Sequence, residues 1–438
     1  MKNRFATQKL LRPSLAGVLL AALALPAGAV DLKTADGDWT FSIAGNVNVD
    51  YIYSSCQDPK TQVNPPSPGN PGGIAAGLTC VGSASSNSVS NIQNGLLPAA
   101  FVFGVATTQN GIDLAAHLGL YPGIATNNSG NPNIGPLGCN ASANSSCNAA
   151  LGTTGLDVRQ VYMTFGTKTA GTFTLGRNIG LFGADVILND MTLPGVGAPG
   201  NAATPYPANT TLGGIGFGYI YTDWLAQIDY TTPKFSGFDF TLGVFDPINS
   251  LTDAGTAEPK KSPGFHAKAT FTLPFSDTSK LYASIAYLTQ QQNYVDPAGT
   301  PYSYTGNGVD VFIKLDVSDF EAFGYYYHAT GLGTTALFYY GAFGDGQTRT
   351  SDGFLAQATY KFGALKLGVN YGESRLDTAT GEVNPFLVAK NKKATGGLYY
   401  SLTKNLTLLA EYSNVKSDAQ TGGTNTANTF NVGAYLGF

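Results

Sequence analysis

The chain has 438 residues, only 12% of them charged, with 55 glycines, 24 tyrosines and 25 phenylalanines. Its 28 Asp+Glu against 24 Lys+Arg give a formal charge of −4, which excludes the basic surface a nucleic-acid partner would need. A charged share so far below the usual level of about a quarter, with so much Gly, Tyr and Phe, favours strands that face lipid.

The first 29 residues read as a secretory signal. Lys2, Arg4, Lys9 and Arg12 form a basic start, Ala16 to Leu25 an apolar core, and Ala27-Gly28-Ala29 a small-residue cleavage site, so maturation is expected at Val30 or nearby. The apolar run is too short to span a bilayer. Losing four of the 24 basic residues leaves 20 against 28 acids, a mature charge near −8.

Residues 30–438 are expected to form one all-β domain, an antiparallel transmembrane barrel of about sixteen strands. In the first strand Phe41, Ile43, Val47, Val49, Tyr51 and Tyr53 share a parity opposite Thr40, Ser42, Asn46, Asn48 and Asp50. The Gly-, Pro- and Ser-rich stretch after it holds Cys56 and Cys80, and a second such stretch holds Cys139 and Cys147. An exported chain meets an oxidising compartment, so two disulfides are expected. Four cysteines allow three connectivities, of which short loop closure favours Cys56 with Cys80 and Cys139 with Cys147. No CxxC or neighbouring His supports a metal site.

Further strands are expected at 97–108, 111–121, 156–168, 171–178, 224–233, 237–246, 262–273, 279–291, 307–317, 319–330, 351–362, 364–374, 393–402, 405–416 and 428–438. The clearest alternation sets Val309, Val311, Ile313, Leu315 and Val317 against Asp310, Phe312, Lys314 and Asp316; His266, Lys268, Thr270 and Thr272 likewise oppose Phe265, Ala267, Ala269 and Phe271. Polar faces that repeat this way can line water while the apolar faces meet lipid. Residues 214–222 are assigned to a loop, which keeps the count even. Short turns such as Gln109-Asn110-Gly111, Ser318-Asp319 and Gly363-Ala364 alternate with long segments such as Ser54–Leu96 and Pro122–Gly155, the periplasmic and external connections of an outer-membrane barrel. Tyr53, Tyr121, Trp224, Tyr360, Phe362, Tyr371, Tyr412 and Phe438 are expected in interfacial girdles. The last strand, TFNVGAYLGF, closes the chain on Phe438 with one oily face.

Gly176-Arg177-Asn178-x-Gly180 at a strand end, then Asn189-Asp190-Met191 and Pro194-x-x-Gly197, with Arg159-Gln160-Val161-Tyr162 before and Tyr230 to Phe238 after, carry a family resemblance. The chain resembles the general porins of Gram-negative outer membranes, trimers of sixteen-stranded barrels whose third external loop folds inward. The resemblance implies that residues 179–223 form a constriction loop, with Asp190 at an acidic loop position and Arg159 at a basic wall position. It departs where Gly195 replaces a second loop acid and where Val102 and Thr231 occupy wall positions that are often Arg. The loop's own LFGADVIL run argues the same way: folding inward would bury Leu181, Phe182, Val186, Ile187 and Leu188 and leave Asp185 and Asp190 to the channel. Arg159, Arg177, Asp185 and Asp190 are therefore the expected constriction, although strict alternation would aim both arginines at lipid.

Asp50, Lys268, Asp310, Lys314 and Asp316 are expected to line the pore. Counting inward parities, Asp50, Asp229, Asp239, Asp310, Asp316, Glu321 and Glu411 oppose Lys268, Lys314, Lys361 and Lys366, which predicts a weak preference for cations among small hydrophilic solutes. The expected partners are outer-membrane lipid and lipopolysaccharide, two further copies of the chain, and those solutes; no cofactor or nucleic acid is expected. A substrate-specific sugar or organic-acid channel is the alternative, with Tyr282, Phe312, Tyr325 and Tyr327 as a possible aromatic track. A barrel hydrolase would need a nucleophile with a positioned base, yet His117, His266 and His328 lie on three separate predicted strands without a GxSxG signature.

Overall fold

A computed structural model describes residues 30–34, 37–57, 74–79, 87–124, 156–199, 210–250, 252, 255–296, 298–344, 346–421 and 423–438. The expected signal, 1–29, lies outside these, as do Cys80, Cys139 and Cys147. The strands of the first half are β1 (Val30–Lys33), β2 (Thr40–Cys56), β3 (Ser88–Gln93), β4 (Ala100–Gln109), β5 (Ile112–Pro122), β6 (Leu156–Thr167), β7 (Gly171–Ile179), β8 (Trp224–Thr231), β9 (Phe238–Phe245) and β10 (Thr256–Ala257). The second half adds β11 (Gly264–Ser276), β12 (Ser279–Val295), β13 (Pro301–Val317), β14 (Phe320–Thr330), β15 (Ala342–Phe343), β16 (Gln347–Thr348), β17 (Thr350–Phe362), β18 (Leu365–Leu376), β19 (Val388–Ser401), β20 (Leu406–Ala419) and β21 (Thr424–Gly437). A short helix, α1 (Ala184–Asn189), follows β7.

Sixteen strands, β2, β4 to β9, β11 to β14 and β17 to β21, pair antiparallel in succession, and β21 returns to β2 with Gly437 opposite Asn46 and Ala427 opposite Cys56. Closure leaves no barrel edge unpaired, as a wall in hydrocarbon requires. The short strands are accessories. β1 continues the line of β21 along the start of β2, β3 pairs the far end of β2, β10 pairs β12, and β15 with β16 forms a separate hairpin.

Alternation explains the wall. Along β13, Val309, Val311, Ile313 and Val317 are exposed while Asp310 and Phe312 are buried. The expected ends differ in both directions: β4 begins later, at Ala100, and β8 ends earlier, at Thr231, whereas β12 continues to Val295 and β13 begins at Pro301, through Gln- and Tyr-rich sequence that carries no oily face. Residues 214–222 form a loop with isolated bridges. Of the expected girdle aromatics, Tyr53, Tyr360, Phe362, Tyr371 and Tyr412 are exposed outwards, whereas Tyr121, on the inner parity, and Trp224, at the start of β8, are buried, a correction.

The main apolar core gathers Phe182, Val186, Ile187, Ile215, Tyr219 and Ile220 from the β7–β8 connection with Leu288, Phe312, Phe323, Tyr325, Tyr327 and Leu355 from the inner parity of β12, β13, β14 and β17. Leu332, Leu337 and Phe338 of the β14–β17 connection join it. That is the partner the LFGADVIL run required. Phe182, Val186 and Ile187 are buried, while Leu181 and Leu188 are half-buried. Phe312, Tyr325 and Tyr327 therefore pack as core and do not form an open aromatic track; Tyr282 alone of the four expected residues keeps partial exposure. Cys56, buried at the end of β2, is disulfide-bonded, and its partner lies outside the described residues.

Candidate pore constriction

The β7–β8 connection is tied to the wall through its backbone. Gly183 has φ 74°, a conformation that favours glycine, and its N–H donates to Asp310 Oδ2 of β13 at 2.6 Å. Gln357 of β17 accepts the Met191 N–H at 2.7 Å and donates to the Asn189 carbonyl at 2.9 Å. Glu411 of β20 accepts the N–H groups of Val196 and Gly197 at 2.8 and 2.9 Å and the Tyr399 hydroxyl at 2.6 Å. The Leu96 and Leu97 N–H groups donate to Gly195 and Leu193 at the remaining side. Buried backbone donors need acceptors, and carboxylates on a β-wall supply strong ones.

The four expected constriction residues separate. Asp185, in the first turn of α1, stays half-buried; it pairs with Lys268 of β11 at 2.7 Å and accepts hydrogen bonds from Tyr282 at 3.0 Å and from Ser284. Asp190 is buried at 3% exposure, accepting from Thr192, from Tyr219 at 3.0 Å and from Asn370 at 3.3 Å. Burial, with Asp190 beside it, holds the Tyr219 phenol well above its ordinary pKa, so it serves as donor. Asp190 thus fastens the segment instead of facing the channel, a correction to the expected role.

Arg159 is buried on the inner parity, resolving the conflict in its register. A bulge places Gly119 opposite Gln160 and Leu120 opposite Val158, so Arg159 is the extra residue and points inward beside Gln160. Its Nε pairs with Asp157 at 2.6 Å, and its guanidinium lies 5.3 Å from the Tyr121 ring centre. Arg177 has no such bulge. It is exposed on the outward parity opposite Val161, so it is not brought to the constriction.

The expected pore-lining residues also divide. Asp50 is fully buried beside Asn431, which donates to it at 3.1 Å, and Asp310 is spent on Gly183. Lys314 lies near the short-turn end of β13, 3.2 Å from Asp316 and 3.6 Å from Glu321. Of this group, Asp310 holds the N-cap of α1 and Lys268 pairs with the helix's Asp185 side chain. Sequence reasoning missed Gln357 and Asn370, whose inward parity was visible but whose partners lie 166 or more residues away for Gln357 and 180 for Asn370. His117 stacks on Tyr162 and His266 on Phe245, and His328 is exposed outwards, so the three histidines do not converge.

The family profile described as Gram-negative porin matches residues 16–420. No curated relative matches the chain by sequence. Among solved structures, the outer membrane channel DcaP of Acinetobacter baumannii aligns with TM-score 0.64 at 16% identity, over 93% of this chain and 99% of that one. The anion-selective porin from Comamonas acidovorans gives 0.56 at 13%, over 92% and 100%. The trimer form of OmpT from Vibrio cholerae gives 0.52 at 14%, over 92% and 100%. Each similarity concerns the fold.

Proposed function

The chain belongs to the Gram-negative porin family and forms a channel of the bacterial outer membrane, and from that premise we propose that it passes small hydrophilic solutes and ions by passive diffusion, as a homotrimer, with a weak preference for cations. The observation that carries this reading is the set of wall acceptors, Asp310, Gln357 and Glu411, that hold residues 183–197 across the barrel. On this reading those residues are the third external loop folded inward, and they narrow the channel to a passage beside Asp185 and Lys268. The trimer form of the Vibrio neighbour supports the assembly proposed here.

Charge sets the weakness of the preference. Lys268 is matched by Asp185, and Lys314 by Asp316 and Glu321. Asp310 and Glu411 spend their oxygens on loop N–H groups. What remains is a diffuse negative field from a wall richer in acids than in bases, and such a field raises cation concentration only modestly and yields to salt. The Comamonas neighbour is described as anion-selective, so the sign is worth measuring directly. Purified protein in a planar bilayer under a KCl gradient should give a small reversal potential of cationic sign; a strongly anionic one would overturn the preference, and absence of conductance would overturn the pore.

A further inference from the structure

The outward faces of β17 to β20 change character abruptly. Over most of their length they present Ala358, Tyr360, Leu367, Val369, Leu398 and Leu408, with no charge. Past Tyr371 and Tyr412, toward the long connections, the outward positions become Asp352, Glu373 and Arg375, Lys390 and Lys392, and Lys416 and Asp418. These form two rows in register: Glu373, Lys392 and Lys416 are successive cross-strand partners, as are Asp352, Arg375, Lys390 and Asp418.

The four bases share three acids. Glu373 takes Arg375 at 2.7 Å and Lys390 at 3.0 Å, and Asp418 takes Lys392 at 2.9 Å and Lys416 at 3.4 Å. Asp352 is 3.9 Å from Arg375. Lys392 and Lys416 face each other directly, a like-charge arrangement that costs stability in an antiparallel pair. Each ammonium has three donors and each guanidinium five, so the acids leave donors unspent. All four bases keep 26 to 49% side-chain exposure, on the lipid side of the wall just beyond the aromatic girdle.

We propose that Arg375, Lys390, Lys392 and Lys416 form a docking site for the phosphorylated sugar headgroup of the outer-leaflet glycolipid, lipopolysaccharide, whose acyl chains lie along the apolar strip below. The site lies where anionic headgroups meet the barrel, its net charge is positive, and a phosphate between Lys392 and Lys416 relieves the like-charge contact. Tyr371 and Tyr412 mark the depth at which the sugar begins. The inference rests on outer-membrane placement and is independent of solute and selectivity.

Native mass spectrometry of the full-length protein in detergent tests it, with bis-phosphorylated lipid A, its dephosphorylated form and phosphatidylglycerol as probes. The wild type should retain lipid A, and Lys390→Gln/Lys392→Gln/Lys416→Gln should weaken it roughly a hundredfold, each lysine near an anionic surface contributing about a factor of five. Heat-modifiable gel mobility establishes that the variant is folded. Should it not fold, the wild type decides: preference for phosphorylated over dephosphorylated lipid A supports the site. Equal retention of those two, equal retention of phosphatidylglycerol, or unchanged retention by the folded variant overturns it. Channel conductance, read in parallel, reports separately on the pore.

Discussion

Glu411 occupies the space that a side chain at Gly195 would need: a Cβ built on Gly195 would run into the Glu411 carboxylate. The loop acid expected after Pro194 is thus supplied from the opposite direction, by the wall strand β20. There it accepts the next two backbone N–H groups, of Val196 and Gly197. Gly195→Ala should accordingly loosen the segment, at a cost of about 1–3 kcal/mol for overpacking. Noisier single-channel currents and faster proteolysis between Leu193 and Ala198 would show it, whereas unchanged currents and protection would count against the contact.

Selectivity should follow the half-buried pair of Asp185 and Lys268. Asp185→Asn leaves Lys268 unmatched and should move the reversal potential toward anions, while Lys268→Gln should move it toward cations. Asp190→Asn should move it less than Asp185→Asn, because Asp190 is only 3% exposed and is surrounded by donors. Reversal potentials of the three variants in one salt gradient check the order. A larger shift at Asp190 would place the open passage on its side of the segment.

The external connections carry their own clamp. Arg349 meets Glu382 through two hydrogen bonds of 2.8 and 2.6 Å and donates to the carbonyls of Tyr340 and Ala342, tying the β14–β17 connection to the β18–β19 connection. Burial alone would raise the Glu382 carboxyl, but Arg349 and the Ala379 N–H outweigh it and hold it below its ordinary value. A depressed carboxylate pKa contributes stability that is present above the unfolded value, about 4.3, and is lost as pH falls through the lower folded value. Protease protection of residues 377–387 should thus be flat from neutral pH down to the unfolded value and fall below it. Glu382→Gln, which leaves a buried guanidinium unpaired, should cost these loops about 3–5 kcal/mol at every pH while the barrel keeps its heat-modifiable mobility.

Peptide mapping without reductant should recover Cys56 joined to Cys80 and Cys139 joined to Cys147. Reduction should open external loops and leave the barrel folded, because the closed ladder from β2 to β21 holds it independently. Free thiols at all four positions, or unfolding on reduction, would contradict this.

Much of this was legible because a lipid-facing strand must alternate; Val309 to Val317 announced β13, and the parity of Arg177 correctly placed it outwards against the motif that suggested a constriction role. Arg159 was not legible by parity, since the bulge opposite Gly119 and Leu120 has no compositional mark. The apolar run at 181–188 showed that the segment needed a partner, yet nothing local identified Phe312, Tyr325 and Tyr327 as that partner. They read equally well as lumen aromatics. Acids counted as pore charge, Asp310 and Glu411, are backbone acceptors, a role fixed by contacts 127 and 215 residues apart.

The most direct test of the central claim, a pore narrowed beside α1, is chemical block at Asp185. Purified Asp185→Cys in a planar bilayer should conduct in steps and should lose much of that conductance when a bulky water-soluble thiol reagent is added, while the wild type is unaffected. Reaction at the introduced thiol with no change in conductance would show that ions pass elsewhere and that the segment from Gly183 to Gly197 does not constrict the channel.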